Sequence, residues 1–448
     1  MLSGPLLPRM IAYAIPIILQ GFLQQLYNAA DMIVVGRLCG PQSLAAVGST
    51  SSLVFLTVNL LVGLSVGSRV LIAKDYGAGD KESVSRASHT AIFIALVFGA
   101  ALGLIALILS PYLLLLMDSP KDIIGLSTTY LRIYFLGTPA VMVMNFGTAI
   151  LGAIGDTRRP TYIVAASGII NVALNVVLVL LGLDVAGVAI ATIVSLYFSG
   201  SVILIMLMKT NEACKISFKK LKLHFDKFRK ILAVGIPSGL QSCVFSLSNI
   251  FIQSTVNTFG STVVAASAAS ANVESFAFVG MAGMSQASLT FTGQNLGAKN
   301  FERIPKIFRT AYFSQIVFML SIGILYVFLS KDLIGLYNDN AAVVEIGSRL
   351  NLIKAPFLFL CGLGDVCSFS MRGLGKSVPP MIISMLCICG IRLIFAFGGT
   401  ALGLITPEIP ESIDYLYYSY SASWSLNALI QFIVYKKSTR AIMGRGNL

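Results

Sequence analysis

The chain is expected to be an all-α polytopic membrane protein: twelve transmembrane helices in two six-helix lobes related by a pseudo-two-fold internal repeat. Three observations predict this. Apolar side chains make up 56% of the 448 residues and charged ones only 11%, where soluble domains carry about 25% charged residues. The apolar residues fall in runs between Gly, Pro and charge punctuation, and each run reaches the roughly 20 residues that a helix needs to cross the hydrocarbon. The second half echoes the first at a shift of roughly 220 residues.

The first six runs are 10–36, 43–72, 88–110, 123–150, 160–182 and 186–208, and the second six are 231–258, 263–292, 308–330, 341–371, 378–403 and 413–435. Several exceed a perpendicular crossing, so tilt or helix ends outside the lipid are expected. The run after Arg9 lacks a small-residue cleavage site and reads as a retained span. This gives an N-terminal lobe over 1–208, a linker loop over 209–230 and a C-terminal lobe over 231–448. The repeat is visible in paired fragments. Ile15-Pro16-x-x-Leu19-Gln20 answers Ile236-Pro237-x-x-Leu240-Gln241, and Gly63-x-Ser65 answers Gly283-x-Ser285. Gly155-x-x-x-x-Pro160 answers Gly375-x-x-x-x-Pro380. A repeat with an even number of spans keeps its orientation, a design suited to alternating access.

Charge sets the topology. Lys plus Arg is 32 against 19 Asp plus Glu, a formal charge of +13. With the N-terminus inside, 24 of the basic residues flank the cytoplasmic side, eight of them in the 209–230 segment. Only Arg37, Lys121 and Lys331 fall outside, and Arg69, Arg132, Arg349, Lys354 and Arg392 lie near or within spans. The positive-inside rule then places both termini in the cytoplasm of a multi-pass protein of the cell membrane. The same distribution argues against nucleic acid as a partner, because no basic run lies outside membrane-flanking loops. Seven Cys, mostly in apolar runs and without paired CxxC spacing, read as packing residues rather than disulfides or metal ligands.

Polar residues inside apolar spans are costly and therefore informative. In the first span, Gln24, Tyr27, Asn28 and Asp31 recur at helical spacing and share a face. That face is expected to line a cavity or a helix contact. Desolvation penalises the charged form of a carboxylate, so Asp31 is a candidate for reversible protonation or cation binding, with a structural carboxylate as the plain alternative. Asn145 lies in the fourth span, at the repeat position of Asp365 in the tenth. Asn171 and Asn175 share a face of the fifth, and amides of this kind also serve as packing contacts between helices. Pro16 and Pro237 open matched helices and allow a kink. In the second half Arg392 is expected to pair with Glu274, Asp365 or both.

Gly375-Lys376-Ser377 imitates the end of a phosphate loop, but Ser370 stands where its first Gly is required. No nucleophile, base and acid set falls in a soluble segment, so an enzyme is not expected, nor any cofactor or resident metal. An ion gradient is the remaining source of energy.

Taken together the chain resembles the multidrug and toxic compound extrusion (MATE) family of antiporters over nearly its full length. The resemblance rests on the Ile-Pro-x-x-x-Gln start of each half and on Leu26-Tyr27-Asn28-x-x-Asp31 with Val35-Gly36. It extends to Gly152-x-x-Gly155-Asp156-Thr157, Gly187-x-Ala189-x-Ala191-Thr192, Gln294-Asn295-x-Gly297-Ala298 and Arg372-Gly373-x-Gly375. It implies two lobes around a cavity and efflux of cationic amphiphilic drugs or toxic organic cations in exchange for protons or sodium. The implied ion-coupling residues are Asp31, Asn171, Asn175 and Thr192. Because many members carry Asp where this chain has Asn175, proton coupling is favoured over sodium, and both stay open. Gln24, Tyr27, Asn28 and Asn145 are the candidate cavity residues. A second-lobe acidic pair found in some members is missing, its positions being Phe245 and Cys361, and Glu274, Asp365 and Arg392 are a candidate network in its place. Small organic cations and membrane lipid are the expected partners of a monomer. A lipid-linked sugar flippase of similar architecture is the alternative.

Overall fold

A computed structural model describes residues 1–117 and 123–446. Lys121, one of the three outer basic residues of the topology count, lies outside the described residues. The described chain is helical, with no strand. Ten helices have the length and apolarity of a membrane span: α1 Leu6–Cys39, α2 Gln42–Gly77, α3 Lys81–Leu116, α5 Arg158–Leu180, α6 Asp184–Lys209, α7 Phe225–Asn257, α8 Ser261–Gly297, α9 Arg303–Gly335, α10 Ala341–Gly373 and α11 Val378–Ala401. The fourth span, α4, is a pair, Ile124–Leu136 and Thr138–Ile154, bent by 45°. The twelfth is α12, Ile413–Gly446. It is more polar because Ser419, Ser421, Ser423 and Ser425 run along it. Three of these return their hydroxyls to carbonyls of the preceding turn, so their polarity is satisfied inside the helix.

Local chemistry sets the helix ends. Asp80 caps α3 by accepting the Ser83 N–H at 2.9 Å, and Asn340 caps α10 by accepting that of Ala342 at 2.9 Å. The repeat is written in the backbone as well. Gly40 (φ 90°) and Gly260 (φ 84°) precede α2 and α8, and Gly155 (φ 105°) and Gly375 (φ 77°) follow α4 and α10. These left-handed conformations suit Gly, which has no Cβ to clash. Gly40 and Gly260 add a repeat pair that the side-chain fragments did not reveal. Two helices are wound more widely in places. α1 ends in a π-helical turn over Val35–Cys39, and α11 contains two, Met385–Gly390 and Ile394–Gly398, on either side of Arg392.

Packing divides the chain into two compact units, Leu19–Gly239 and Met1–Ile18 with Leu240–Leu448. The starts of α1 and α7 thus belong to the unit built from the other half of the chain. In the first unit, Gly63 of α2 packs directly on the Gly239 backbone and Gly67 on the Ile231 carbonyl. A Cβ at either Gly would fall within 2.3 Å of those atoms. The core of that unit runs through Ile72, Ile92, Phe146, Ile150 and Ile203, and includes Cys214 and Ile216 from the 209–230 segment. This segment is also pinned by polar contacts. Ser217 N–H donates to His89 Nε2 (3.0 Å), His224 N–H to Thr90 Oγ1 (3.2 Å), and Lys227 pairs with Asp75 (2.8 Å).

In the second unit, Met10 and Tyr13 of α1 sit in a core with Phe291, Phe308 and Tyr435. Tyr13 is hydrogen-bonded to Thr290 Oγ1 at 2.9 Å. Further cores gather Met319, Tyr326, Leu358 and Trp424, and Ile252, Val256, Leu416 and Tyr417. Many large apolar side chains stay exposed, Leu116, Phe328 and Leu336 each above 80%, as expected of helices whose outer faces meet lipid rather than water.

Candidate functional site

The first unit brings together side chains from three helices. Asp31 of α1 accepts a short hydrogen bond from Asn175 Nδ2 of α5. The same amide group reaches Asn171 Oδ1 one turn away at 3.3 Å, and Asn171 Nδ2 points to Thr192 Oγ1 of α6 at 3.5 Å. Asp31, Asn175, Asn171 and Thr192 therefore form one continuous polar chain. Its middle is buried: Asn175 is fully buried and Asn171 is 5% exposed. Asn175 Oδ1 has no hydrogen-bond partner among the described residues. A buried acceptor one bond from a carboxylate can take a proton-bearing group or face a small cation.

The close approach of α1 to α5 has a simple cause. The Tyr27 ring lies on Gly168, where a Cβ would come within 1.7 Å of the ring, and the Tyr27 hydroxyl donates to the Ala165 carbonyl at 3.1 Å. Gly168 thus permits the contact, and Tyr27, one turn before Asp31, holds it. Gln24 and Asn28, on the same face of α1, are exposed and stand outside this chain of bonds. Asn145 also stays apart. It is half-buried and donates to Val141 O in its own helix at 2.9 Å.

The second unit is wired differently from the expectation that Arg392 pairs with Glu274 or Asp365. Glu274 of α8 pairs instead with Lys354 of α10, Oε2 to Nζ at 2.6 Å, with both side chains under 10% exposed. The Lys354 ammonium also lies 5.4 Å from the rings of Tyr417 and Tyr420, within the range of a cation–π attraction. Arg392 donates to Asn249 Oδ1 at 2.9 Å and stacks over Tyr420 at 4.0 Å, with no ion pair among the described residues. Guanidinium is planar and weakly hydrated, so an amide and an aromatic face can hold it. Asp365 faces Ser285 and Arg372, and Arg372 itself donates to Gln241 Oε1 at 2.7 Å. Glu274, Asp365 and Arg392 thus belong to three separate contacts. A cavity of about 10 Å³ adjoins the first, where Glu274 Oε1 and Asn351 Nδ2 have no hydrogen-bond partner among the described residues.

Comparison with known proteins shows the family. The MatE family model matches twice, over residues 16–177 and 237–397. The chain belongs to the MatE family. Its two matched segments fall one in each half of the internal repeat. Among its MATE relatives, the probable multidrug resistance protein YoeA of Bacillus subtilis is 30% identical over 397 residues, covering 87% of this chain and 86% of YoeA. The probable multidrug resistance protein NorM of Thermotoga maritima is 24% identical over 436 residues, covering 94% of each. A solved structure of a MOP superfamily transporter from Pyrococcus furiosus shares the fold with a TM-score of 0.91 at 23% identity, covering 99% of this chain and 98% of that one. The chain is thus a multi-pass membrane protein of a multidrug efflux transporter family, and its relatives are transporters of small molecules.

For this MATE chain, sequence reasoning gave Lys354 no partner and passed over Asn249 and Tyr420. Lys354 was legible as a basic residue within a span, but its partner lies 80 residues away on another helix. Periodicity orders residues along one helix and carries no information about which faces meet. Asn249 and Tyr420 carried no signal, since an amide or a phenol within a span is common packing chemistry.

Proposed function

We propose that the chain exports cationic amphiphilic compounds by alternating access in exchange for protons, and that Asp31 is the coupling carboxylate. The observation that carries this reading is the chain of bonds, buried at its middle, from Asp31 through Asn175 and Asn171 to Thr192. A lone carboxylate in an apolar span is less costly neutral than charged. Charged, it accepts from Asn175. Protonated, it becomes a donor, and Asn175 Oδ1, with no hydrogen-bond partner among the described residues, is the adjacent acceptor. The two protonation states thus ask for different orientations of one amide. A proton that binds the two states of α1 differently shifts their populations, and a cationic substrate with the opposite preference completes the exchange. Sodium is the alternative ion, because the same four residues offer oxygens to a cation. The protein works in the cell membrane as a monomer with both termini in the cytoplasm, the side that the basic count assigns them.

Efflux of a cationic dye from reconstituted vesicles tests this under separate proton and sodium gradients. A proton gradient should drive efflux, and Asp31→Asn should abolish it with expression intact. Asn175→Asp, which adds a second carboxylate, should bring sodium dependence. Wild-type efflux that follows sodium at clamped pH and ignores a proton gradient would overturn proton coupling.

A further inference from the structure

A cleft of about 350 Å³ opens on the first unit, where the segment between α6 and α7 folds over the start of α3. Its floor is one face of α3: Glu82, Ser85, Arg86 and His89, spaced by three or four residues. Its rim is Lys219, Lys220, Lys222 and His224. The charges on this wall are not balanced. Arg86 is paired with Asp226 at 2.8 Å, but Lys219, Lys220 and Lys222 form no ion pair among the described residues. Among the described residues that line the cleft, Glu82 is the one acid opposing these three lysines.

The two sides of the cleft are tied together by hydrogen bonds. His89 Nε2 accepts from the Ser217 N–H, so the other ring nitrogen carries the proton and donates to the Ser85 carbonyl at 2.8 Å. The ring is thereby fixed as a bracket between α3 and the lysine-bearing segment. His224 is tied to the same helix by its N–H to Thr90, and its Nδ1 accepts from Arg86 Nε at 3.4 Å. Three ammonium groups are therefore presented by backbone that is already anchored, which lowers the ordering cost of binding.

The apolar surroundings say what kind of anion fits. Phe218 and Phe225, beside the lysines, are 53% and 59% exposed. From Phe225 a ladder of rings leads away along the outside of the unit. Phe225 to Phe228 and Phe228 to Phe98 are each 5.8 Å between centroids. Phe98 lies nine residues beyond His89 on α3, toward the middle of the span, and is itself exposed. Phe228 is half-buried and the Arg229 guanidinium lies over the Phe225 ring at 5.1 Å, so the basic cleft continues into a partly exposed aromatic track edged by a further cation, which suits a molecule with an anionic head and an apolar tail.

We propose that this cleft binds a phosphate group, with the headgroup of an anionic membrane phospholipid as its source. The lysines take the phosphate, and the acyl chains follow the Phe225, Phe228 and Phe98 rings. Basic pockets between membrane helices bind anionic headgroups in this way. A free phosphate ion could use the lysines but would gain nothing from the rings.

The test uses the full chain purified in neutral detergent. Retention of phosphatidylglycerol is measured by native mass spectrometry, with thermal unfolding as a second readout. Phosphatidylcholine and inorganic phosphate are the comparison probes. Lys219→Gln/Lys220→Gln/Lys222→Gln should weaken phosphatidylglycerol binding roughly a hundredfold. The charge-matched control Lys299→Gln/Lys306→Gln/Arg309→Gln, on exposed positions of the other unit, should retain it. Ser85→Glu keeps every lysine but places a carboxylate on the cleft floor, and it should lose the lipid as the triple variant does. Stabilisation by inorganic phosphate equal to that by phosphatidylglycerol would keep the phosphate site but assign it a soluble ligand. Retention by the triple variant at the wild-type level, or equal loss by the control triple, would overturn the proposal.

Discussion

Lys354→Met removes one charge of the Glu274–Lys354 pair while keeping the side chain's length and apolar stem. Glu274 would then hold an unpartnered carboxylate at 6% exposure, with Oε1 already lacking a hydrogen-bond partner among the described residues. Breaking a buried pair from one side costs about 3–5 kcal/mol, because desolvation of the survivor is no longer offset. Glu274→Gln should cost less. The ammonium it strands keeps two tyrosine rings at 5.4 Å, each able to contribute about 0.5–2 kcal/mol. Removing both charges in Glu274→Gln/Lys354→Met should recover most of the loss, since no charge is then left buried without a partner. The assay is thermal unfolding of the detergent-purified chain, with wild type, two single variants and the double variant forming a cycle. The expected order of melting temperature is wild type and double variant highest, Glu274→Gln next, Lys354→Met lowest. A double variant that melts as low as Lys354→Met, or four proteins that melt alike, would refute a coupled buried pair.

Other contacts give further tests. Asn249→Asp should raise the melting temperature, because it replaces the amide that accepts from the buried Arg392 guanidinium at 2.9 Å with a carboxylate of opposite charge; a fall would show that Arg392 is balanced elsewhere. Lys215→Cys, in a background with the native cysteines replaced, should react with an impermeant thiol reagent only after cells are opened, and labelling of intact cells would invert the proposed topology. Burial, with Arg86 and Lys222 close by and only Asp226 opposing, lowers the pKa of His224 below its ordinary value. The folded state thus prefers the neutral ring. That contribution is complete above the unfolded value near 6.5 and is lost as pH falls through the lower folded value. His224→Gln should remove this part of the acid sensitivity, so the difference in melting temperature between variant and wild type should change between pH 7.5 and pH 5.5. A constant difference would mean that His224 has an ordinary pKa.

The fold class, the number of spans and the repeat were legible in the residue order, because each depends on local properties. A span is a run of apolar residues, and a lipid environment leaves it no choice but to satisfy its backbone as helix. Asp31, Asn171, Asn175 and Thr192 could be singled out because polar groups in such runs are rare. Tertiary structure alone decided that they form one chain of bonds, and that Tyr27 joins α1 to α5 over Gly168 while Gln24 and Asn28 remain exposed. The charges of the second unit show the difference most clearly. Composition says that a buried guanidinium, an ammonium and two carboxylates must be compensated, but not by which partner. Distance settles that, and helix packing brings Lys354 to Glu274 while leaving Arg392 to an amide and a tyrosine ring. The basic cleft has the same origin. Eight basic residues in one segment read as a topology signal, and only folding against α3 leaves three of them facing a common space beside exposed aromatic rings.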